Sequence, residues 1–171
     1  SKVLGFTGSD NQGIIGLEVI YEEYLAGKKG TILTVTDARG IEVEEAGESR
    51  IEPVNGGDLH ISMDMNIQSY ATQLAYQAME TKEAKSVSII VMNAKTGEIL
   101  AMVNTPEFDL NEPYVLTEDI LKYASGTDVS GNSISSGDDL SEQEKQNLLN
   151  TMWRNGCIND TYEPGSTFKI I

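Results

Sequence analysis

The sequence predicts a small helix-plus-hairpin module followed by the start of an α/β unit. Three observations predict it. Ile14, Leu17, Tyr21, Tyr24 and Leu25 recur at helical spacing, and the β-branched run Thr31-Ile32-Leu33-Thr34-Val35-Thr36 follows at once. Ile67, Tyr70, Ala71, Leu74 and Ala78 mark one face of a second, longer helix. Two apolar runs, residues 86–92 and 99–103, flank the turn-forming Asn93-Ala94-Lys95-Thr96-Gly97 and read as a β-hairpin.

The elements can be justified in chain order. Residues 1–16 hold Gly5, Gly8, Gly13 and Gly16 and read as loop. The first helix should stop at Gly27, a residue suited to the position after a helix end. Asp37-Ala38-Arg39-Gly40 reads as a turn, with Ile41 and Val43 beginning a partner strand. Pro53 and the Asn55-Gly56-Gly57-Asp58 stretch form the next break, which places a domain boundary between residues 1–57 and 58–171. A short strand should run to Met63 with His60 facing solvent, and Asp64 should cap the second helix, which should reach about Thr81. Residues 125–139, rich in Ser, Gly, Asp and Asn, read as a loop with few backbone contacts. Ser141, with Glu144 three residues on, forms a capping box for a short helix over residues 142–150.

Composition excludes several function classes. With 27 acidic against 12 basic residues and a net charge of −15, the chain lacks the Lys and Arg clusters that phosphate backbones or anionic membranes require. Cys157 is the only cysteine and His60 the only histidine, which rules out an intrachain disulfide and any site needing two imidazoles. No apolar run approaches the roughly 18 residues of a membrane-crossing helix, so an anchor is expected only outside these residues.

The chemistry concentrates in the last ten residues. Pro164-Gly165 breaks the chain, and Ser166 onward reads as the first turn of an apolar helix. At i,i+3 spacing Ser166 and Lys169 share one side of that turn. A serine hydroxyl is a weak nucleophile and needs a base within hydrogen-bonding distance. Lysine can serve only if desolvation or a nearby positive potential brings its pKa from about 10.4 towards neutrality, and a buried helix N-terminus supplies both. The same helix start aims the Ser166 N–H at an acyl oxyanion. Taken alone, Ser-x-x-Lys equally describes a helix start with Ser166 as its cap and Lys169 in solvent.

The context favours the chemical reading. Residues 162–169 read YEPGSTFK, which resembles the nucleophile segment of class B penicillin-binding proteins, whose S-x-x-K motif performs serine acyl transfer. Trp153-Arg154-Asn155 and Ile158-x-Asp160 resemble that family's approach to its serine. Thr96-Gly97-Glu98-Ile99-Leu100-Ala101-Met102 resembles its TGEILAM hairpin, and Asp64-x-x-Ile67-Gln68 its D-x-x-I-Q helix start. Gly16-Leu17-Glu18, Tyr21-Glu22 and Leu25-x-Gly27 resemble its N-terminal module, so the likeness covers nearly the whole chain in family order. The flavour of residues 153–162 resembles the division and sporulation branch.

The resemblance implies an α+β protein with a helix-plus-hairpin pedestal or dimerisation module at 1–57 and the first part of a transpeptidase domain at 58–171, ending just after the S-x-x-K motif. It implies Ser166 as nucleophile and Lys169 as base, and no metal or cofactor. The implied substrate is a peptidoglycan stem peptide ending in D-Ala-D-Ala, with β-lactams acylating the same serine. Division or elongation proteins are the implied partners, and the implied location is the outer face of the bacterial cell membrane, anchored by an N-terminal helix outside this chain. Lys95-Thr96-Gly97 and Ser130-Gly131-Asn132 mimic the family's K-T-G and S-x-N motifs, but both precede Ser166, whereas the family's motifs follow the nucleophile. They are expected to be a hairpin turn and a loop, so this fragment alone should be inactive. A catalytically silent scaffold and a β-lactamase or sensor relative are the competing readings, the latter disfavoured by the N-terminal module.

Overall fold

The computed structural model describes residues 1–33, 49–123 and 140–170. The expected turn at Asp37-Ala38-Arg39-Gly40, the strand at Ile41 and Val43, and the loop over residues 125–139 lie outside them. In chain order the elements are α1 (Gly16–Ile20), α2 (Glu22–Leu25), β1 (Thr31–Leu33), β2 (Ser49–Ile51), α3 (Met65–Thr81), β3 (Val87–Met92) and β4 (Ile99–Thr105). Then come α4 (Glu118–Tyr123), α5 (Glu142–Trp153), α6 (Gly156–Asn159) and a closing 3-10 helix (Gly165–Ile170).

The first expected helix is broken at Tyr21, whose φ of −107° and ψ of 17° interrupt the α geometry. The break has a physical reason: the Gly13 N–H donates to Glu22 Oε2 at 2.7 Å, drawing the start of α2 back towards the glycine loop. After α2, Gly27 takes a φ of +66°. β1 pairs antiparallel with β2, Ile32 opposite Arg50. A reciprocal backbone pair between Lys28 and Val54 (2.7 and 2.9 Å) closes this module. The strand expected to end at Met63 does not form. Residues 55–64 carry no ladder, and His60 is exposed on an irregular segment instead.

That segment has another task. Ser62 Oγ donates to Ile99 O at 2.8 Å, the Asp64 N–H donates to Leu100 O at 2.9 Å, and Gln68 brackets Met102. Gln68 Nε2 donates to Met102 O at 3.1 Å, and its Oε1 accepts from Met102 N at 2.9 Å. The outer edge of β4 is thereby covered, which removes an open template for strand pairing. α3 begins where expected: Asp64 Oδ1 accepts from Asn66 N and Ile67 N at 2.8 and 3.0 Å.

β3 and β4 form the expected antiparallel hairpin, registered Ile89 opposite Val103 and Ser88 opposite Asn104. Alternation along β4 sends Ala101, Val103 and Thr105 into the interior. There Ala101 and Val103 meet Ala71 and Ala75 of α3, small side chains that let helix and strand approach closely. Met102 and Asn104 are left on the opposite face. A second core gathers Phe6, Phe108, Ile120, Leu149 and Met152, with Trp153 packed edge-on against Phe6 at 5.2 Å between ring centroids. Phe6 comes from the stretch that composition marked as loop, so the N-terminal residues are part of the larger unit's core.

Candidate active site

The route to Ser166 starts at α5, whose first turn carries the expected capping box: the Glu144 N–H donates to Ser141 Oγ at 3.4 Å, and Glu144 Oε2 accepts from Ser141 N at 3.0 Å. α5 runs to Trp153, three residues beyond the expected end. Its last turn is pinned by Trp153, whose ring N–H donates to Pro113 O at 2.8 Å.

Residues 153–160 then make a tight corner. Asn155 is 5% exposed and caps α6, its Oδ1 accepting from Cys157 N at 3.1 Å. Its Nδ2 donates to Met102 Sδ at 3.4 Å, and the Cys157 thiol donates to Val103 O at 3.3 Å. The Gly156 N–H donates to Asn104 Oδ1 at 3.2 Å. α6 is thus stitched residue by residue onto the face of β4 left free by α3. At its far end Arg154 clamps the exit: Nε donates to Asp160 Oδ1 at 2.5 Å and Nη2 to Asn159 O at 2.6 Å. These bonds give a physical role to Trp153, Arg154, Asn155 and Asp160 of the two signatures, whereas Ile158 is exposed. Burial pushes the Cys157 thiol above its ordinary value, so this half-buried sulfur is held protonated as a structural donor.

Beyond Asp160 the character changes. Tyr162 is 82% exposed and Phe168 60%, so neither ring is packed by the described residues. Gly165 takes a φ of +59° and turns the chain into the closing helix. That helix is 3-10 where an α-helical turn was expected. In this geometry side chains at i and i+3 eclipse, so Ser166 and Lys169 stand on one side of the same turn. Both are exposed, and among the described residues no hydrogen bond joins Ser166 to Lys169. Lys95 lies in the hairpin turn, with its N–H donating to Asn93 Oδ1 at 3.0 Å, whereas Ser130-Gly131-Asn132 lies outside the described residues.

Residue-level reading of the sequence missed Lys2 and Asn104. Lys2 Nζ donates to Asn104 Oδ1 at 3.1 Å, a bond spanning 102 positions, and Asn104 Nδ2 donates to Ser88 Oγ at 2.7 Å. The one available signal was a polar residue on an apolar strand. Among the described residues, no three His, Cys, Asp or Glu side chains group as metal ligands, and no helix is long and apolar enough to cross a membrane.

Known proteins resemble the chain along both of its halves. The family model described as the penicillin binding protein transpeptidase domain matches residues 87–171, and that of the penicillin-binding protein dimerisation domain matches residues 1–61. Stage V sporulation protein D of Bacillus subtilis is 30% identical over the whole chain, which covers 22% of that protein. Peptidoglycan D,D-transpeptidase FtsI of Buchnera aphidicola is 32% identical over 99% of the chain and 24% of its own length. Probable peptidoglycan D,D-transpeptidase PenA of Neisseria gonorrhoeae is 39% identical over 66% of the chain and 20% of its own length. A solved peptidoglycan synthetase from Bifidobacterium adolescentis shares the fold over 61% of this chain and 19% of its own, with a TM-score of 0.54 at 22% identity. The chain belongs to the class B penicillin-binding proteins, and spans the dimerisation region and the N-terminal portion of the transpeptidase domain. It covers about a fifth of the length of the curated relatives it matches.

Proposed function

We propose that the protein containing this chain is a peptidoglycan D,D-transpeptidase, with Ser166 as nucleophile and Lys169 as general base. Ser166 Oγ attacks the penultimate D-Ala carbonyl of a stem peptide, its proton passes to Lys169, and the terminal D-Ala leaves with a proton on its amine. The acyl group then passes to an amine on a neighbouring strand. A β-lactam follows the first half of this path and stays on Ser166. One observation carries the reading: Ser166 and Lys169 are eclipsed on a single 3-10 turn, at the end of a corner whose Trp153, Arg154, Asn155 and Asp160 are held by specific bonds.

Among the described residues none covers Lys169, so the apolar cover a lysine base needs comes from outside them. The described residues form a platform with half a site. The domain division falls at 57/58, just past the Lys28–Val54 pairing that closes the first module. That module exposes Ile32, Leu33, Ile51 and Val54, an apolar surface suited to dimerisation or to division and elongation partners. The site works at the outer face of the cell membrane, where its substrate is found, with the anchor outside this chain.

The test is intact-mass analysis of the complete protein after incubation with benzylpenicillin. One adduct is expected on the parent and none on Ser166→Ala. An adduct on Ser166→Ala would show that another residue is the nucleophile. Lys169→Ala should remain folded and acylate at least about a thousandfold more slowly, as when one member of a catalytic set is removed.

A further inference from the structure

On the face of β4 opposite α3, one side-chain amide joins three distant segments. Asn104 Oδ1 accepts from Lys2 Nζ at 3.1 Å and from Gly156 N at 3.2 Å, while Nδ2 donates to Ser88 Oγ at 2.7 Å. The amide's orientation is fixed, because its oxygen faces two donors and its nitrogen faces a hydroxyl acceptor. We propose that Asn104 is a positioning residue for the Ser166 segment, and that Lys2 makes this positioning depend on the N-terminal module. The proposal rests on the reading of Ser166 as nucleophile.

Close packing supports the role. A methyl carbon added at Gly156 would lie 3.0 Å from Asn104 Nδ2 and 2.8 Å from Asp160 Oδ2, so no larger residue fits while both side chains hold their places. Gly156 opens α6, and Asp160, clamped by Arg154, closes it. Ser166 follows six residues later, a reach of at most about 20 Å. A tilt of α6 by about 10° would swing the far end by as much as about 3 Å, against a tolerance of about 0.5 Å for productive geometry. The contact that fixes the start of α6 therefore governs where the nucleophile stands.

Lys2 is not an idle surface lysine. Burial lowers its pKa, opposed by the attraction of Glu107 and Asp160, so its ammonium has been drawn from water into this cluster. Its neighbours are tied to α1: Val3 O accepts from Leu17 N at 3.0 Å and Leu4 O from Glu18 N at 3.1 Å. Displacement of α1 pulls on Lys2, hence on Asn104, hence on α6. Hydrogen bonds link α1 through Lys2 and Asn104 to α6, and Ser166 follows Asp160 along the chain.

The experiment uses the complete protein and measures benzylpenicillin acylation by rapid mixing, separating the initial dissociation constant from the acylation rate constant. Asn104→Ala should lower the rate constant about 10- to 100-fold, the scale of an ångström misplacement, with the dissociation constant within about threefold. Asn104→Asp keeps the acceptor for Lys2 and Gly156 and should recover most of the rate. Lys2→Met keeps the aliphatic stem and should cost about 3- to 10-fold, and the double variant Lys2→Met/Asn104→Ala should be no slower than Asn104→Ala alone. Parental kinetics in folded Asn104→Ala, strictly additive losses, or a rate loss that only follows the folded fraction in thermal melts would each overturn the proposal. Labelling of Ser166→Ala would instead refute the nucleophile assignment, whatever the Asn104 variants do.

Discussion

The corner at residues 153–160 and the helix at Gly165–Ile170 lie within a few residues of each other and are built on opposite plans. The corner ties up its polar groups: Asn155 is buried, Trp153, Gly156 and Cys157 donate to part-buried partners, and Arg154 holds Asp160 at the surface. The helix bearing Ser166 and Lys169 leaves Phe168 and both site side chains in solvent. Local folding thus fixes where the chain leaves for Ser166 but not the environment around that side chain. A platform of this kind can be complete while the site above it is not.

The largest expected effect tests that division directly. Ser166 in the complete protein should be acylated by benzylpenicillin at least about a thousandfold faster than in the 171-residue chain, since missing members of a catalytic set cost orders of magnitude. Equal rates by intact mass would mean that the described residues already hold a working site. Next, Met152→Ala removes a side chain only 1% exposed and should cost about 2–5 kcal/mol in urea unfolding of this chain. Phe168→Ala should stay within about 0.5 kcal/mol in the same chain and cost several times more in the complete protein. Similar costs for the two in the short chain would erase the contrast. Ser141→Ala, which removes the capping box of α5, should cost about 1 kcal/mol without altering the labelling of Ser166 in the complete protein.

The smallest effect concerns Cys157. Its folded pKa lies above the ordinary thiol value, chiefly through burial, so the folded state holds the proton more tightly than the unfolded chain. That contribution to stability is intact at neutral pH and fades as pH rises past about 9 through the folded value. Cys157→Ser should flatten this alkaline limb of the stability profile. In the parent, iodoacetamide should modify Cys157 slowly until urea opens the corner. Rapid alkylation of the folded chain would show that the corner opens as freely as the site helix.

What the sequence revealed divides along the same line as the structure. The Asp64 cap, the Ser141 capping box and the hairpin with Gly97 at its turn were legible because each is decided within a few residues by backbone geometry and local hydrogen bonds. The break at Tyr21 and the lost strand before Met63 were not. Both depend on partners elsewhere, Glu22 reaching back to the loop and residues 62–68 spending their polar groups on the edge of β4. Phe6 read as loop because glycines surround it, yet it fills a core that closes through Phe108 and Met152. At the site, YEPGSTFK pointed to Ser166 and Lys169, but nothing local separates a 3-10 turn from an α turn there. The Lys2–Asn104 bond joins residues 102 positions apart and leaves no periodic trace.

Gly156 and Gly165 sit nine residues apart and resist substitution for unlike reasons. At Gly156 an added side-chain carbon would crowd the Asp160 carboxylate at 2.8 Å and the Asn104 amide at 3.0 Å, so both side chains would have to move. Around Gly165 the space is open: a carbon built there would meet nothing within 4 Å, and only the φ of +59° disfavours an L residue. That position therefore selects on handedness rather than on size. A mirror-image residue would be at home in it. A D-alanine placed at 165 by semisynthesis should keep the turn into Ser166, where an L-alanine would strain it.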